Sequence, residues 1–390
     1  MCFDKINFLN KVVIIRVDYN VPFNGDIIQD DSRIKNSIYA INHVIKKGGK
    51  VLIVSHLGRP KNNKDKNLSL KKLVNPLKKY FSSDVFFLEK HPSLYDYEYI
   101  KNHPCSIFLL ENIRFYKEEI LGGCELAKNL ASLADVYIND AFSASHRKHS
   151  SVFTICDFFQ KKSIGPLFKK EIKEISHFIK NPTSPTSFVF GGSKLSTKIK
   201  TINNVIKYAD NIIIGGAMAF PFLKQKGFDV LSSKCEDGFE KEVVLINENC
   251  KKNNVNLLIP EDLIFTDNIN NPSFVENINI KNSGKYNKNL MGVDIGKNTI
   301  SKFSFFIEKS NSVIWNGPMG VFEKKEFMLG TKKISLSVSK TGKSLIGGGD
   351  TVSAIKQINM ENSFSYVSMG GGAILDFLSK ESLPVLEKIN

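Results

Sequence analysis

The sequence has a single tryptophan and no apolar run approaching the length of a membrane span, so a membrane partner is not expected. Its six cysteines, Cys2, Cys105, Cys124, Cys156, Cys235 and Cys250, form no C-x-x-C pair and follow no metal-ligand spacing. Free thiols in a reducing compartment fit this usage, and Met1 to Lys11 has no long apolar stretch of the kind a secretory signal needs. The expected location is therefore cytoplasmic. Internal repeats and low-complexity tracts are missing. No G-x-G-x-x-G follows the first strand, which removes the dinucleotide fingerprint. Nor is there an evident Ser-His or Cys-His pairing to supply a covalent nucleophile.

Acidic residues are in deficit, 39 against 54 Lys plus Arg, for a formal net charge of +15. Such a charge suits a polyanionic partner. The lysines are nevertheless dispersed. The densest stretch, Lys61 to Lys72, lies beside a turn signal and has no interleaved aromatics. Nucleic-acid binding wants a basic stripe or a recognisable module, and neither is present, so no nucleic-acid partner is expected. Thr341-Gly342-Lys343-Ser344 looks like the end of a phosphate-binding P-loop, but Ser337 stands where its earlier glycine is required and the segment precedes a strand.

The length of 390 residues suits two domains. Short apolar runs recur at Val12–Val17, Val51–Ser55, Ile107–Leu110 and Val136–Ile138. Later come Phe188–Phe190, Ile212–Ile214, Leu257–Ile259, Val313–Trp315, Leu345–Ile346 and Tyr366–Ser368. Helix-length segments such as Ser69–Tyr80, Glu125–Ala134 and Lys194–Tyr208 lie between them. This alternation predicts an α/β protein of two lobes, each a parallel sheet covered by helices. The Pro-rich cluster Asn181-Pro182-Thr183-Ser184-Pro185, preceded by a charged segment with helical spacing at Leu167–Ile179, marks the break. The expected division is a first domain over 1–165, a linker helix over 166–181 and a second domain over 182–376.

The residues just past each strand carry the chemistry, because ligands of open α/β sheets bind outside the carboxyl ends of the strands. In the first half these ends read Arg16-Val17-Asp18-Tyr19-Asn20, Ser55-His56-Leu57-Gly58-Arg59, Glu111-Asn112-Ile113-Arg114 and Asn139-Asp140, then Ser145-His146-Arg147-Lys148-His149. Arg33, on the helix expected after Asp30-Asp31-Ser32, can join them. Arginines grouped in this way suit planar, bidentate recognition of phosphate and carboxylate. The expected ligand is a small molecule with two or more anionic groups.

The second half instead places glycines after its strands: Gly191-Gly192, Gly215-Gly216, Gly317, Gly347-Gly348-Gly349 and Gly370-Gly371-Gly372. Glycine between a strand and a helix lets the backbone approach a ligand, and the helix N-terminus then faces phosphate. Asp350 can hold Mg²⁺ as a hard oxygen ligand. Lys194 and Lys198 stand four apart, which on a helix is one face.

These motifs, with Trp315-Asn316-Gly317-Pro318-Met319-Gly320-Val321-Phe322-Glu323, closely resemble the phosphoglycerate kinase family, in order from about Lys11 to the end. The resemblance implies two Rossmann-like lobes, with residues 377–390 packed back onto the first. It places the phosphoglycerate contacts on Asp18, Tyr19, Asn20, Arg33, His56, Leu57, Gly58, Arg59, Arg114 and Arg147. It places the ATP or ADP contacts on Gly192, Lys198, Gly215, Gly216, Gly292, Asn316, Glu323, Gly348, Gly349, Asp350 and Thr351, with Mg²⁺ at Asp350. Arg33, Lys194 and Gly370 to Gly372 would surround the phosphoryl group in flight. The implied activity is reversible transfer from 1,3-bisphosphoglycerate to Mg-ADP in glycolysis and gluconeogenesis, by a monomer that closes over its substrates. A carboxylate acceptor is already ionised, so such a transfer needs positioning and charge stabilisation rather than a general base.

Ser193, Thr197, Ala217, Lys297, Asn298 and Met369 depart from the family's usual residues. Thr197 and Met369 lie nearest the phosphate path, which makes turnover the property in question. Two other readings remain at this point: a different ATP-dependent kinase of a small carboxylate, and a basic nucleic-acid-binding protein.

Overall fold

A computed structural model describes residues 2–61, 65–81, 83–180 and 183–389. Asn181 and Pro182 of the expected break lie outside the described residues, as do residues 62–64 of the basic stretch. The chain divides into two compact units, Met1–Lys173 with Ser382–Asn390, and Glu174–Glu381. The boundary falls within a helix, Pro166–Lys180, whose proline sits in the first turn where no backbone N–H is needed. The tail that returns to the first unit is Ser382–Asn390, while the helix Gly372–Lys380 stays with the second.

In the first unit the strands are β1 Val12–Arg16, β2 Phe23–Asn24, β3 Ile27–Ile28, β4 Lys50–Val54, β5 Val85–Leu88, β6 Ile107–Leu110, β7 Val136–Asn139 and β8 Lys162–Ile164. Six form one sheet in the order β5-β6-β4-β1-β7-β8, every neighbouring pair parallel. β2 and β3 make a short antiparallel hairpin. β1, β6 and β7 are buried along their whole length. Parallel strands covered on both faces must be apolar throughout, which is why these read as continuous runs. The helix Ser32–Lys46 covers one face through Ile34, Ala40, Ile41 and Val44, a stripe at helical spacing.

The second unit holds β9 Thr186–Phe190, β10 Asn211–Ile214, β11 Asn256–Leu258, β12 Asp262–Thr266, β13 Val275–Asn279, β14 Met291–Ile295, β15 Ser312–Asn316, β16 Lys343–Gly347 and β17 Tyr366–Val367. Six again make a parallel sheet, in the order β11-β10-β9-β15-β16-β17. In each sheet the chain starts at a central strand, fills one side and then crosses to the other, the first sheet laying β5 at the edge before β6 fills the place beside β4. The topological switch points therefore lie between β1 and β7 and between β9 and β15, where a ligand crevice is expected. An antiparallel sheet, β13-β12-β14, is additional to the sequence expectation.

At the β9/β15 switch the two loops pack backbone on backbone. Gly191 N–H donates to the Asn316 carbonyl at 2.9 Å and Gly192 N–H to the Pro318 carbonyl at 2.7 Å. A β-carbon at Gly317, whose φ is +104°, would fall on the Gly191 carbonyl. Gly317→Ala combines overpacking with left-handed strain, and a loss of about 3 kcal/mol or more is expected. Trp315, the only tryptophan, is buried two residues before it and donates its indole N–H to the Gly317 carbonyl at 2.7 Å. Its fluorescence during urea unfolding reports the effect on this unit; an unshifted midpoint would contradict it.

Candidate functional site

The β1/β7 end of the first sheet gathers the expected anion ligands. The Arg33 guanidinium pairs with the Asp18 carboxylate, which also accepts the Ser143 hydroxyl. Asn20 Oδ1 accepts the Gly58 N–H at 2.8 Å, and Arg114 Nη1 donates to the Gly58 carbonyl at 2.7 Å. Arg147 Nε donates to His146 Nε2 at 3.0 Å, and Arg59 is exposed. His56 sits among them, almost fully buried. Burial, then the charges of Arg16, Arg114, Arg33 and Arg147, hold its pKa well below the ordinary histidine value, so the ring is neutral near pH 7. Burial and the charges of Arg16, Arg147 and Arg59 likewise draw Arg114 down to about 10, although Glu119 opposes them. Such mutual repulsion marks a site prepared for anions.

Two of the expected substrate residues have core side chains. Tyr19 is fully buried with its hydroxyl 2.8 Å from that of Ser37, and Leu57 is locked by Asn112 through its N–H and carbonyl.

In the second unit a cavity of about 330 Å³ opens at the β9/β15 switch, lined in part by Gly192, Gly216, Gly292, Glu323 and Asp350. Gly215, Asn316 and Thr351 are not among the lining residues but brace it. Gly215 packs on Met319, a lining residue, and the Thr351 hydroxyl accepts the Gly317 N–H at 2.6 Å. Among the described residues, Asn316 Nδ2 is buried without a hydrogen-bond partner, an unsatisfied donor of the kind a ligand oxygen relieves. Gly348, with φ +93°, leads into the helix Gly349–Gln357, which carries Asp350 in its first turn. A β-carbon on Gly348 would crowd that same Asn316 amide nitrogen. The Gly370–Gly372 turn opens a second helix, Gly372–Lys380.

Lys194 and Lys198 do not share a helix face. The helix begins only at Ile199, because 194–198 is a turn that drives Leu195 into the core and closes with Lys198 N–H on the Leu195 carbonyl at 2.8 Å. Lys194 is exposed and Lys198 is buried. Burial pulls the Lys198 ammonium down to about 8, against the opposing pull of the Asp350 and Glu236 carboxylates. Its charge is therefore lost as pH rises through about 8, well before that of an ordinary lysine. If that charge holds nucleotide phosphate, the KM for ATP should rise between pH ~7 and ~9, and Lys198→Arg, which stays charged, should flatten the rise. Identical profiles for the two proteins would contradict this.

Sequence reasoning missed the apolar wall of the cavity: Phe220, Leu263, Met291, Val293 and Phe322. Leu263, Met291 and Val293 come from β12 and β14, whose strands carried no recognised signal. Lys234 also lines the cavity, from a loop without a motif.

An arginine cluster on one unit and a glycine-framed, partly apolar cavity on the other are the two candidate sites. A family model described as phosphoglycerate kinase matches residues 3–381. The chain belongs to the phosphoglycerate kinase family. The phosphoglycerate kinase of Wolinella succinogenes is 40% identical over 380 residues, covering 97% of this chain and 94% of that protein. The phosphoglycerate kinase of Helicobacter pylori strain J99 is 38% identical over 389 residues, 99% of this chain and 96% of that one. Among solved structures, phosphoglycerate kinase from Coxiella burnetii matches with a TM-score of 0.83 and 32% identity, covering 99% of this chain and 98% of that chain. Phosphoglycerate kinase membership makes the chain a phosphotransferase of glycolysis, and its α/β fold matches that solved structure.

Proposed function

We propose that the first unit binds 3-phosphoglycerate or 1,3-bisphosphoglycerate at its arginine cluster and that the second binds ATP or ADP in the glycine-framed cavity. The observation that carries this reading is the gathering of Arg16, Arg33, Arg114 and Arg147 around neutral His56, a concentration of positive charge that an anionic ligand would offset. Asp18, Asn20, His56, Arg59, Arg114 and Arg147 hold the phosphoglycerate, with Tyr19, Leu57 and Gly58 supporting them. In the cavity, Glu323 takes the ribose hydroxyls. Gly192, Gly215, Gly216 and Gly292 frame the base and sugar against the apolar wall, and Lys198, Asn316, Gly348, Gly349 and Thr351 address the phosphates. Arg33, Lys194 and the Gly370–Gly372 turn surround the phosphoryl group during in-line transfer. The corresponding functional division is 1–165 for phosphoglycerate, 166–181 as linker and 182–376 for nucleotide. Because the two ligands must meet, closure on binding belongs to the proposal.

Among the described residues no cluster of three or more His, Cys, Asp or Glu could hold a metal unaided. Asp350, exposed at the cavity, fits Mg²⁺, which takes one or two carboxylates and completes its shell with phosphate oxygens and water. Bound there, the ion would neutralise phosphate charge. Among the described residues no helix is long and apolar enough to cross a membrane. We place the protein in the cytoplasm as a monomer without a nucleic-acid partner.

Arg147 tests the substrate assignment. In the His146-Arg147-Lys148-His149 run it should grip the remote phosphate both before and during transfer, which is uniform binding. Arg147→Ala should raise the KM for 3-phosphoglycerate and leave kcat within about tenfold. An unchanged KM would remove Arg147 from the site.

A further inference from the structure

Arg16 and Glu119 lie behind the anion site with no contact to a ligand assigned to them. Both are fully buried. Burying either charge is expensive unless it is completely engaged, and here the two are joined through a serine. The Ser151 N–H donates to Glu119 Oε2 at 2.8 Å and the Ser151 hydroxyl to Oε1 at 2.7 Å. That hydroxyl accepts from Arg16 Nε at 2.9 Å. Burial pushes the Glu119 carboxyl up, yet His149, Arg16 and Ser151 together hold it below the ordinary value, so it is ionised. His149 Nδ1 stands 3.7 Å from Oε1, near but beyond hydrogen-bond reach. The other end of the guanidinium faces the ligand site: Nη1 donates to the Val17 carbonyl, and Nη2 lies 3.1 Å from His56 Nδ1.

The polarity of that last contact is forced. A guanidinium has five donors and no acceptor, and it is not deprotonated near neutral pH. His56 Nδ1 must therefore be the acceptor, which leaves its lone pair free of a proton. The ring carries its single proton on Nε2, and that nitrogen has no hydrogen-bond partner among the described residues.

We infer that Arg16, oriented through Ser151 by Glu119, is a positioning residue that fixes His56 as the neutral Nε2–H tautomer, so that the ring presents one N–H donor to an oxygen of the phosphoglycerate. The opposite tautomer would turn a lone pair toward that oxygen and repel it. A protonated ring would leave Arg16 facing another donor and would add a fifth positive charge to Arg16, Arg33, Arg114 and Arg147, the groups that face it. A buried partner that sets the tautomer of a histidine is a known way to control which nitrogen acts. The inference rests on His56 touching the substrate, and its test is arranged so that the two can fail separately.

The full chain, labelled with ¹⁵N-histidine and free of ligand, is observed by long-range ¹H–¹⁵N NMR, with the His56 signals assigned from their loss in His56→Gln. The expected spectrum has a pyridine-like His56 Nδ1 and a pyrrole-like Nε2, unchanged between pH ~6 and ~8. A pyrrole-like Nδ1, or a ring protonated on both nitrogens in that range, overturns the inference. A second arm uses Arg16→Met/Glu119→Gln, which removes both buried charges together so that neither is left unpaired. Its His56 should exchange between tautomers while staying neutral, because burial and Arg33, Arg114 and Arg147 remain. Its KM for 3-phosphoglycerate should rise about tenfold, the scale of one hydrogen bond to a charged group, while kcat changes little. Arg16→Lys, which keeps a donor and the charge, should recover most of the affinity. A double variant whose KM and His56 tautomer match the parent overturns the positioning role; should it not fold, the spectrum of the parent decides. An unchanged KM in His56→Gln overturns the substrate contact itself, whatever the tautomer.

Discussion

Arg33→Ala is expected to lower kcat by ~10³-fold with only a modest change in the KM for 3-phosphoglycerate, an effect on the scale of losing an arginine finger. The alternative for this residue is a helix-surface ion pair with Asp30 or Asp31, worth at most ~1 kcal/mol of stability and nothing in turnover. The structure pairs Arg33 elsewhere. Asp31 is engaged by Lys35 at 2.9 Å and by the Tyr80 hydroxyl, whereas Arg33, at the start of the helix Ser32–Lys46, reaches across to Asp18 at the strand end. Its guanidinium is half-buried, and burial lowers its pKa. Asp18 thus holds Arg33 in place at the strand end. A contact that matures only as the phosphoryl group moves raises kcat rather than lowering KM. Arg33→Lys, which keeps the charge but loses the planar fork, should fall between the two. Steady-state kinetics, with circular dichroism to confirm folding, decide; near-full turnover in Arg33→Ala would return the residue to a structural part.

Asp350→Ala should cost about 10²-fold or more in kcat, the range seen when one preorganised electrostatic group is removed. The carboxylate stands in the first turn of the helix Gly349–Gln357, exposed to the cavity, so folding should survive its loss. With no cluster of three or more His, Cys, Asp or Glu among the described residues to hold the ion instead, the Mg²⁺ concentration for half-maximal activity should rise as well. An Asp350→Ala protein with normal turnover and normal Mg²⁺ dependence would remove the role.

The parts of the fold and site that were legible are those where one residue type has one physical use. β1, β4 and β7 read as apolar runs because both sheet faces are covered, and Gly317 announced itself because no side chain fits against Gly191. Three kinds of feature were not legible. β13, Val275–Asn279, alternates weakly and is mostly exposed, and β8 is three residues long, so neither stands out from a loop. With β12 and β14 also missed, most of the apolar wall of the second unit's cavity was hidden. Lys194 and Lys198 suggested a shared helix face by spacing alone, yet Leu195 between them needed burial and bent the chain into a turn first. Glu119 sits in a Lys-Glu-Glu run that reads as solvated surface, and only the folded chain brings Ser151 to both of its oxygens.

The central claim is the reaction, and one assay tests it most directly. Purified full chain is supplied with 3-phosphoglycerate, ATP and Mg²⁺, with the acyl phosphate product removed by a coupling enzyme, and then run in reverse with 1,3-bisphosphoglycerate and ADP. Turnover should appear in both directions, vanish on chelation of Mg²⁺ and be absent when other small carboxylates replace 3-phosphoglycerate. Well-folded protein that is inactive in both directions, or that prefers a different carboxylate, would contradict the account.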